Sequence, residues 1–335
     1  MLVEWFVFQG RNIMARHHCL LAALGLSIAT VSAIAQTNWP SKPIRIVVPF
    51  APGGTADISA RILAERLTKS FSQTFFAENR AGASGNIGAA EAARSTPDGY
   101  TFLLGNTPTI AINQFVFSKM PYDSARDLAP VSFVARVPNV LIVHPALGVR
   151  SLEELIERAK AKPSSINYGH SGAGTVLHLA GELLKTMAKI DIVPVPYKGS
   201  APMLLDLLGG QLQMAIDNMP TALPHIRSGR LLALGVTTAK PVGVLPGVPT
   251  IGSVIPGYEA VAFFALMAPA ATPQPIIARL SAEIDKILHR PDVMDLFVQL
   301  GAEPVGGTPA ELARFIASET AKWREVVKTS GAKAE

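Results

Sequence analysis

The sequence predicts an α/β protein built as two domains, on three observations. Short apolar runs rich in β-branched residues alternate with stretches of helical period along almost the whole chain. Two strand–glycine-loop–helix units stand far apart, one in each half. The 335 residues are 49% hydrophobic and only 16% charged, which supplies a sizeable core and more than one domain.

Ile44–Val48 (IRIVV) reads as a buried strand, and Ile58–Leu67 (ISARILAERL) as an amphipathic helix. Thr55 and Asp57, between them, are candidate N-caps. A strand follows at Thr74–Glu78, a helix at Ile87–Arg94, and a strand at Tyr100–Gly105 after the turn Thr96-Pro-Asp-Gly99. Val131–Val137 and Val140–His144 are strand-like and broken by Pro138-Asn139. Ser151 with Glu154 three residues on marks a capped helix. Ile166–Gly169 feeds a second glycine-rich turn, His170 to Thr175, which opens a helix at Val176–Met187. Further strands are expected at Ile192–Pro196, Met214–Asp217, Leu231–Thr237 and Phe263–Ala268, with a helix at Ala201–Leu208. Helical patterns close the chain at Pro275–Leu288, Val293–Leu300 and Pro309–Lys328. The sheets are expected to be mainly parallel. Two passages between domains, near Val131–Val143 and Val261–Ala268, divide the chain into a discontinuous domain 1 (36–138 and 262–335) and a contiguous domain 2 (139–261).

Residues 1–35 stand apart. A basic Arg16-His-His18, an almost wholly apolar or small Cys19–Ile34, and Ala33-Ile-Ala35 read as a secretory signal peptide cleaved after Ala35. Met14 is a more natural start than Met1. The single cysteine, Cys19, lies in this leader, so the mature chain has no disulfide, thiol nucleophile or cysteine-based metal site. The formal charge of +5 is scattered, without the basic runs and interleaved aromatics of a nucleic-acid groove. A small anion suits that balance.

The two loops, Phe50–Asp57 and Ser171–Thr175, each set backbone N–H groups at a helix N-terminus with little side chain in front of them. That is an arrangement for holding an anion rather than for reacting with it. Facing each other, they would clamp one small anion in a cleft at the carboxyl ends of the strands. Asp57 reads first as a helix-start carboxylate. Asp217 and Asn218, ending a strand, are either ligand contacts or an Asx-turn, and Lys198 either meets the far end of a ligand or is solvated. Gly169-His-Ser-Gly-Ala173 also fits a G-x-S-x-A nucleophile elbow, which would make Ser171 the nucleophile of a serine hydrolase with His225 or His289 as base. No oxyanion loop precedes it, and both histidines sit at ordinary helix ends. No histidine pair, His144 and His178 included, has metal spacing, and no cofactor is expected.

IRIVVPFAPGGTADISAR, ENRAGASGNIGAAEAARSTPDGYTFLLGN, PYDSARDLAPVS, YGHSGAGTVLHLAGELL, VPYKGSAPMLLDLLGGQLQMAIDN, GVPTI and GAEPVGGTPAELARFIASETAKW occur in this order. From about Trp39 to Val327 the chain resembles the Bug family, the periplasmic solute receptors of tripartite tricarboxylate transporters. The resemblance implies a type II periplasmic-binding-protein fold of two α/β domains joined by two crossover strands, closing on a small organic carboxylate. It also implies a monomer that hands its ligand to the membrane subunits of a transporter, or alternatively reports it to a signalling partner. Carried over residue by residue, Phe50, Ala51, Gly53, Gly54, Thr55 and Asp57 face Ser171, Gly172, Gly174 and Thr175; Asp217 joins the candidate ligand residues on its strand-end position alone. His170 stands where a small hydroxyl residue is common in the family. Phe263-Phe264-Ala265 replaces an aromatic–aromatic–Gly pattern, Ala271 a usual glycine, and Ile251–Ile255 is one residue short. Those departures bear on ligand identity rather than on fold.

Overall fold

The structure, a computed structural model, describes residues 39–333. The leader, with Met14, Cys19 and the Ala33-Ile-Ala35 signature, lies outside the described residues. From Lys42 onward eleven strands are present among the described residues. They are β1 (Ile44–Val48), β2 (Phe75–Asn79), β3 (Thr101–Asn106), β4 (Leu128–Val137), β5 (Asn139–Val143) and β6 (Asn167–His170). β7 (Val193–Pro196), β8 (Met214–Asn218), β9 (Leu232–Val236), β10 (Ala262–Pro269) and β11 (Glu303–Gly306) follow. The helices of eight residues or more are α1 (Thr55–Phe71), α2 (Asn86–Ala93), α3 (Leu152–Ala161), α4 (Val176–Ala188) and α5 (Ser200–Leu208). After them come α6 (Met219–Arg227), α7 (Gln274–Leu288), α8 (Pro291–Gln299) and α9 (Pro309–Ser330).

The strands form two sheets, a six-stranded one in the order β11-β4-β10-β3-β1-β2 and a five-stranded one in the order β7-β6-β8-β5-β9. Continuous apolar runs go to their centres, as expected for strands covered on both faces. β1 buries everything but Arg45, whose guanidinium bonds Glu78 and Glu91 at 3.1 and 2.6 Å, and all eight residues of β10 are buried. Trp323, Tyr168, Tyr258, Phe102 and Phe263 are the bulkiest fully buried side chains.

The sheets are mixed, which corrects the expectation of mainly parallel ones. β2, β1 and β3 are parallel, as are β7, β6 and β8. β10 runs antiparallel to β3 and β4, β11 antiparallel to β4, and β5 antiparallel to β8 and β9. For β5 and β10 the cause is connectivity: each arrives from the other sheet, without the crossover helix that a parallel neighbour requires. Two elements were given no bounds from the sequence: α6, of which only an end at His225 was expected, and β11. α6 carries Pro220 and Pro224, which the sequence presents as breakers, yet Pro220 is in the first turn, where no N–H is missed. β11 is a four-residue edge strand containing a proline, too short for a periodic signal. α1 starts at Thr55 with Gly54 as its cap, three residues before the periodic pattern begins.

Only Pro138 separates β4, in one sheet, from β5, in the other. The return passage, residues 237–261, is tied to the same point. The Asn139 N–H donates to Thr237 Oγ1 at 3.2 Å, and its side-chain amide donates to the Ala260 carbonyl at 2.8 Å. The two connections are thus stitched together where the chain changes sheet.

Candidate functional site

After β1 the chain turns through Pro49-Phe-Ala-Pro-Gly-Gly54 into α1. Gly53 has φ +79°, a left-handed conformation that glycine takes without strain. Its N–H donates to Asp57 Oδ2 at 3.0 Å, the Arg61 Nε–H donates to the same oxygen at 3.0 Å, and Arg61 Nη2 forms an ion pair with Oδ1 at 2.9 Å. Burial pushes the Asp57 carboxyl up, but the bonds from Arg61 and Gly53 outweigh it and hold it below the usual range. Asp57 therefore stays charged and braces the loop. The cap residue, Gly54, offers no side-chain acceptor, so the first-turn N–H groups of Thr55 and Ala56 keep their donor capacity. The Thr55 hydroxyl is buried without any hydrogen-bond partner.

A second uncapped helix start approaches from the other sheet. α5 begins after Gly199, at φ +129° and again without a side-chain cap. The approach is close: a Cβ on Gly199 would lie 3.6 Å from Ala51 Cβ, and one on Gly53 3.7 Å from Ala201 Cβ. Ser200 opens α5 and donates to Asp217 Oδ1, while Thr221 Oγ1 donates to Asp217 Oδ2 at 2.6 Å. Asp217 is fully buried, and burial pushes its carboxyl up to about 6 against those bonds. Asn218 donates from Nδ2 to Asn139 Oδ1 at 2.5 Å.

Between the two helix starts lies an inner chamber of about 30 Å³, lined by Phe50, Ala51, Gly54, Thr55, Ala56, Asn106, Ser171, Gly199, Ser200, Asn218 and Phe264. An outer chamber of about 210 Å³ is lined by Phe50, Gly82–Gly85, Ser171, Gly172, Ala173, Pro196, Tyr197 and Lys198. Phe50 and Ser171 belong to both, so the chambers are consecutive parts of one cleft. Ser84 Oγ donates across it to the Ala173 carbonyl at 2.5 Å.

The second loop is held from behind by imidazoles. Gly174 N–H donates to His178 Nδ1 at 3.1 Å, and His170 Nδ1 lies 2.9 Å from the Gly172 carbonyl oxygen. The two rings stack at 4.4 Å with 30° between planes. Burial, and then the neighbouring His178, push the His170 imidazole down to about 3, so it is neutral. Thr175 caps α4 and donates to the Gly172 carbonyl at 2.8 Å. Of the carried-over residues, Phe50, Ala51, Gly54, Thr55, Ser171 and Gly172 line the cleft. Gly53, Asp57, Gly174 and Thr175 lie behind it and shape its loops, and His170 and Asp217 do the same for Gly172 and Ser200.

Asn218 and Lys198 line the inner and outer chambers. Phe263 does not line the cleft. It packs on Phe133 and Phe315 at 6.0 and 5.1 Å, and the next residue, Phe264, takes the cleft side, since successive strand residues point to opposite faces. The hydrolase arrangement is absent: Ser171 Oγ bonds Thr175, His225 pairs with Arg230 at 2.7 Å, and His289 Nδ1 meets the Asp285 carbonyl at 2.8 Å. No group of three metal-ligating side chains occurs among the described residues. Asn106, Gly199, Ser200, Phe264 and the Gly82–Gly85 turn were not read from sequence. Asn106 and the small-residue run A-G-A-S-G were the available signals, one at the carboxyl end of a strand and the other a turn too rich in small residues to be only a connection.

The model of the tripartite tricarboxylate transporter family receptors, TctC, matches residues 59–332. BugT of Bordetella pertussis is 40% identical over 319 residues, covering 94% of this chain and 98% of its own. The solved structure of Rpa4515 of R. palustris with adipate is 42% identical at a TM-score of 0.87, covering 88% of this chain and 99% of that one. MatC (Rpa3494) from Rhodopseudomonas palustris, with bound malate, is 31% identical at 0.82, covering 86% and 100%.

Proposed function

Because this chain belongs to the family of tripartite tricarboxylate transporter receptors, we propose that it captures a small organic carboxylate in the cleft between its two sheets, closes on it, and passes it to the membrane subunits of such a transporter. The family consists of periplasmic solute-binding receptors rather than enzymes, and its fold is the type II periplasmic-binding-protein fold of two α/β domains. In this reading domain 1 comprises residues 36–138 and 262–335, domain 2 comprises 139–261, and Pro138 with the return passage is the hinge. The leader is removed after Ala35, and the mature receptor acts as a monomer.

The observation that carries the reading is the Thr55 hydroxyl. A buried hydroxyl without a partner costs on the order of 1–3 kcal/mol, and a ligand oxygen would remove that cost. It lies beside the free first-turn N–H groups of α1, opposite the start of α5, so two positive helix ends converge on one small chamber without a cation in it. One carboxylate oxygen takes Thr55 Oγ1 and the α1 N–H groups. The other takes donors of Ser171, Ser200 and Asn218. That two relatives hold adipate and malate supports a carboxylate as the ligand class.

The test is a thermal-shift and calorimetric panel of small carboxylates paired with their amides. At least one acid should raise the melting temperature, since a hundredfold excess over Kd stabilises the native state by about 2.7 kcal/mol. Its amide should bind far more weakly, and Thr55→Val should bind the acid about tenfold more weakly while folding normally. Equal binding of acid and amide would overturn the reading.

A further inference from the structure

We propose that Lys198 is the residue that selects for a second carboxylate, so that the ligands of this receptor are α,ω-dicarboxylates rather than monocarboxylates of the same length. The inference rests on the carboxylate-receptor reading of the cleft. Lys198 is the one charged residue among those lining the two chambers, and it lines only the outer one. It is exposed and, among the described residues, has neither an ion-pair nor a hydrogen-bond partner. Arg61, behind the first loop, is by contrast spent on Asp57.

The same loop serves both ends of the cleft. Gly199 and Ser200 line the inner chamber, and Lys198, one residue earlier, lines the outer. A ligand whose first carboxylate occupies the inner chamber must continue past Phe50 and Ser171, which belong to both. Along the outer chamber Phe50, Ala173 and Pro196 offer apolar surface, which suits methylene groups, and a monocarboxylate carries no anionic group at its far end to meet the cation there. A second carboxylate at the far end meets the ammonium group of Lys198. The outer chamber's 210 Å³ is room for a chain of several carbons. Tyr197 does not compete for this role, because its hydroxyl already donates to Asp206 at 2.7 Å.

The experiment measures Kd by calorimetry for acids matched in carbon number, butyrate against succinate and hexanoate against adipate, on wild type, Lys198→Met and Lys198→Arg. In wild type one diacid should bind about tenfold tighter than its matched monoacid, as a charge-assisted contact supplies. Lys198→Met should reduce that ratio to about twofold or less with the monoacid Kd unchanged, and Lys198→Arg should restore it. Equal affinity of matched acids in wild type, or an unchanged ratio in Lys198→Met, overturns the inference and leaves the receptor reading standing. Failure of every acid to bind removes both.

Discussion

His178 Nδ1 accepts a hydrogen bond from the Gly174 N–H at 3.1 Å, which fixes the imidazole as the neutral tautomer protonated at Nε2. It also spends the N–H of a glycine that the sequence assigns to the ligand. The second loop is therefore shaped by the side chain of the helix it introduces.

His178→Leu removes that acceptor and leaves Gly174 N–H unpaired in a buried place. Ligand affinity should fall about tenfold as the Ser171–Gly174 turn loosens, with a stability loss of about 1–3 kcal/mol. His178→Asn, whose amide oxygen can stand near the position of Nδ1, should recover part of both. Calorimetry and thermal melts on the two variants check this. Equal loss of affinity in both variants would show that ring stacking, rather than the accepted bond, sets the loop.

The pH dependence of stability contains two opposing contributions. His170 is pushed down to about 3 by burial and by His178, from about 6.5 when unfolded. Below about 6.5 the unfolded chain takes up a proton that the folded one refuses, so this contribution is lost as pH falls toward 3. His178, lowered by burial against Glu182, which favours its charge, acts in the same sense. Asp217 is pushed up to about 6 by burial, from about 3.9, so its contribution is present below about 3.9 and lost as pH rises through 6. Between about pH 4 and 6 the two slopes oppose each other. Asp217→Asn should steepen the fall in melting temperature on acidification, and His170→Asn should flatten or reverse it. Parallel pH profiles for both variants and wild type would contradict the assignment.

The cap of α1 is the plainest case of stability given up for the site. Gly54 has φ −82° and ψ 169°, which any residue adopts, and a Cβ there would meet only Ala51 O, at 3.6 Å. Neither strain nor crowding in the fold demands glycine. Gly54→Ser would cap the helix and add a few tenths of a kcal/mol. The same side chain would occupy the inner chamber and take an N–H meant for the ligand. The melting temperature should hold or rise slightly while affinity falls at least about tenfold. Full affinity in Gly54→Ser would mean that the carboxylate sits elsewhere.

Much of this was legible because it is local. IRIVV followed by Pro-Phe-Ala-Pro-Gly-Gly announces a buried strand, a turn and a helix start, and the structure has all three. The glycine-rich turn before Val176 was equally plain. What stayed hidden depends on residues distant in sequence. That the start of α5 rather than that of α4 faces α1 follows from the strand order β7-β6-β8-β5-β9, which no single segment encodes. Phe263 and Phe264 are adjacent aromatics in a strand buried on both faces, so alternation could not say which one meets the cleft. Ser84 was lost among small residues, although its hydroxyl bonds the Ala173 carbonyl across the outer chamber.

Ala83 and Ser84 both take left-handed backbone conformations, at φ 46° and 51°, which cost L-residues about 1–2 kcal/mol each. The turn they make aims Ser84 Oγ at the Ala173 carbonyl, on a loop of the other sheet. Such a bond forms only when the two sides are together, so it should weigh on the closed receptor and not on folding. Ser84→Ala removes about 1 kcal/mol from the closed form, lowering ligand affinity about fivefold, chiefly through faster release. Ser84→Gly removes the same hydroxyl but relieves the backbone, so it should lose affinity like the alanine variant while melting higher than it by about 0.5–1 kcal/mol of stability. Stopped-flow release rates and thermal melts separate the two effects. Wild-type release rates in both variants would mean that Ser84 and Ala173 merely touch and that closure is held by the ligand alone.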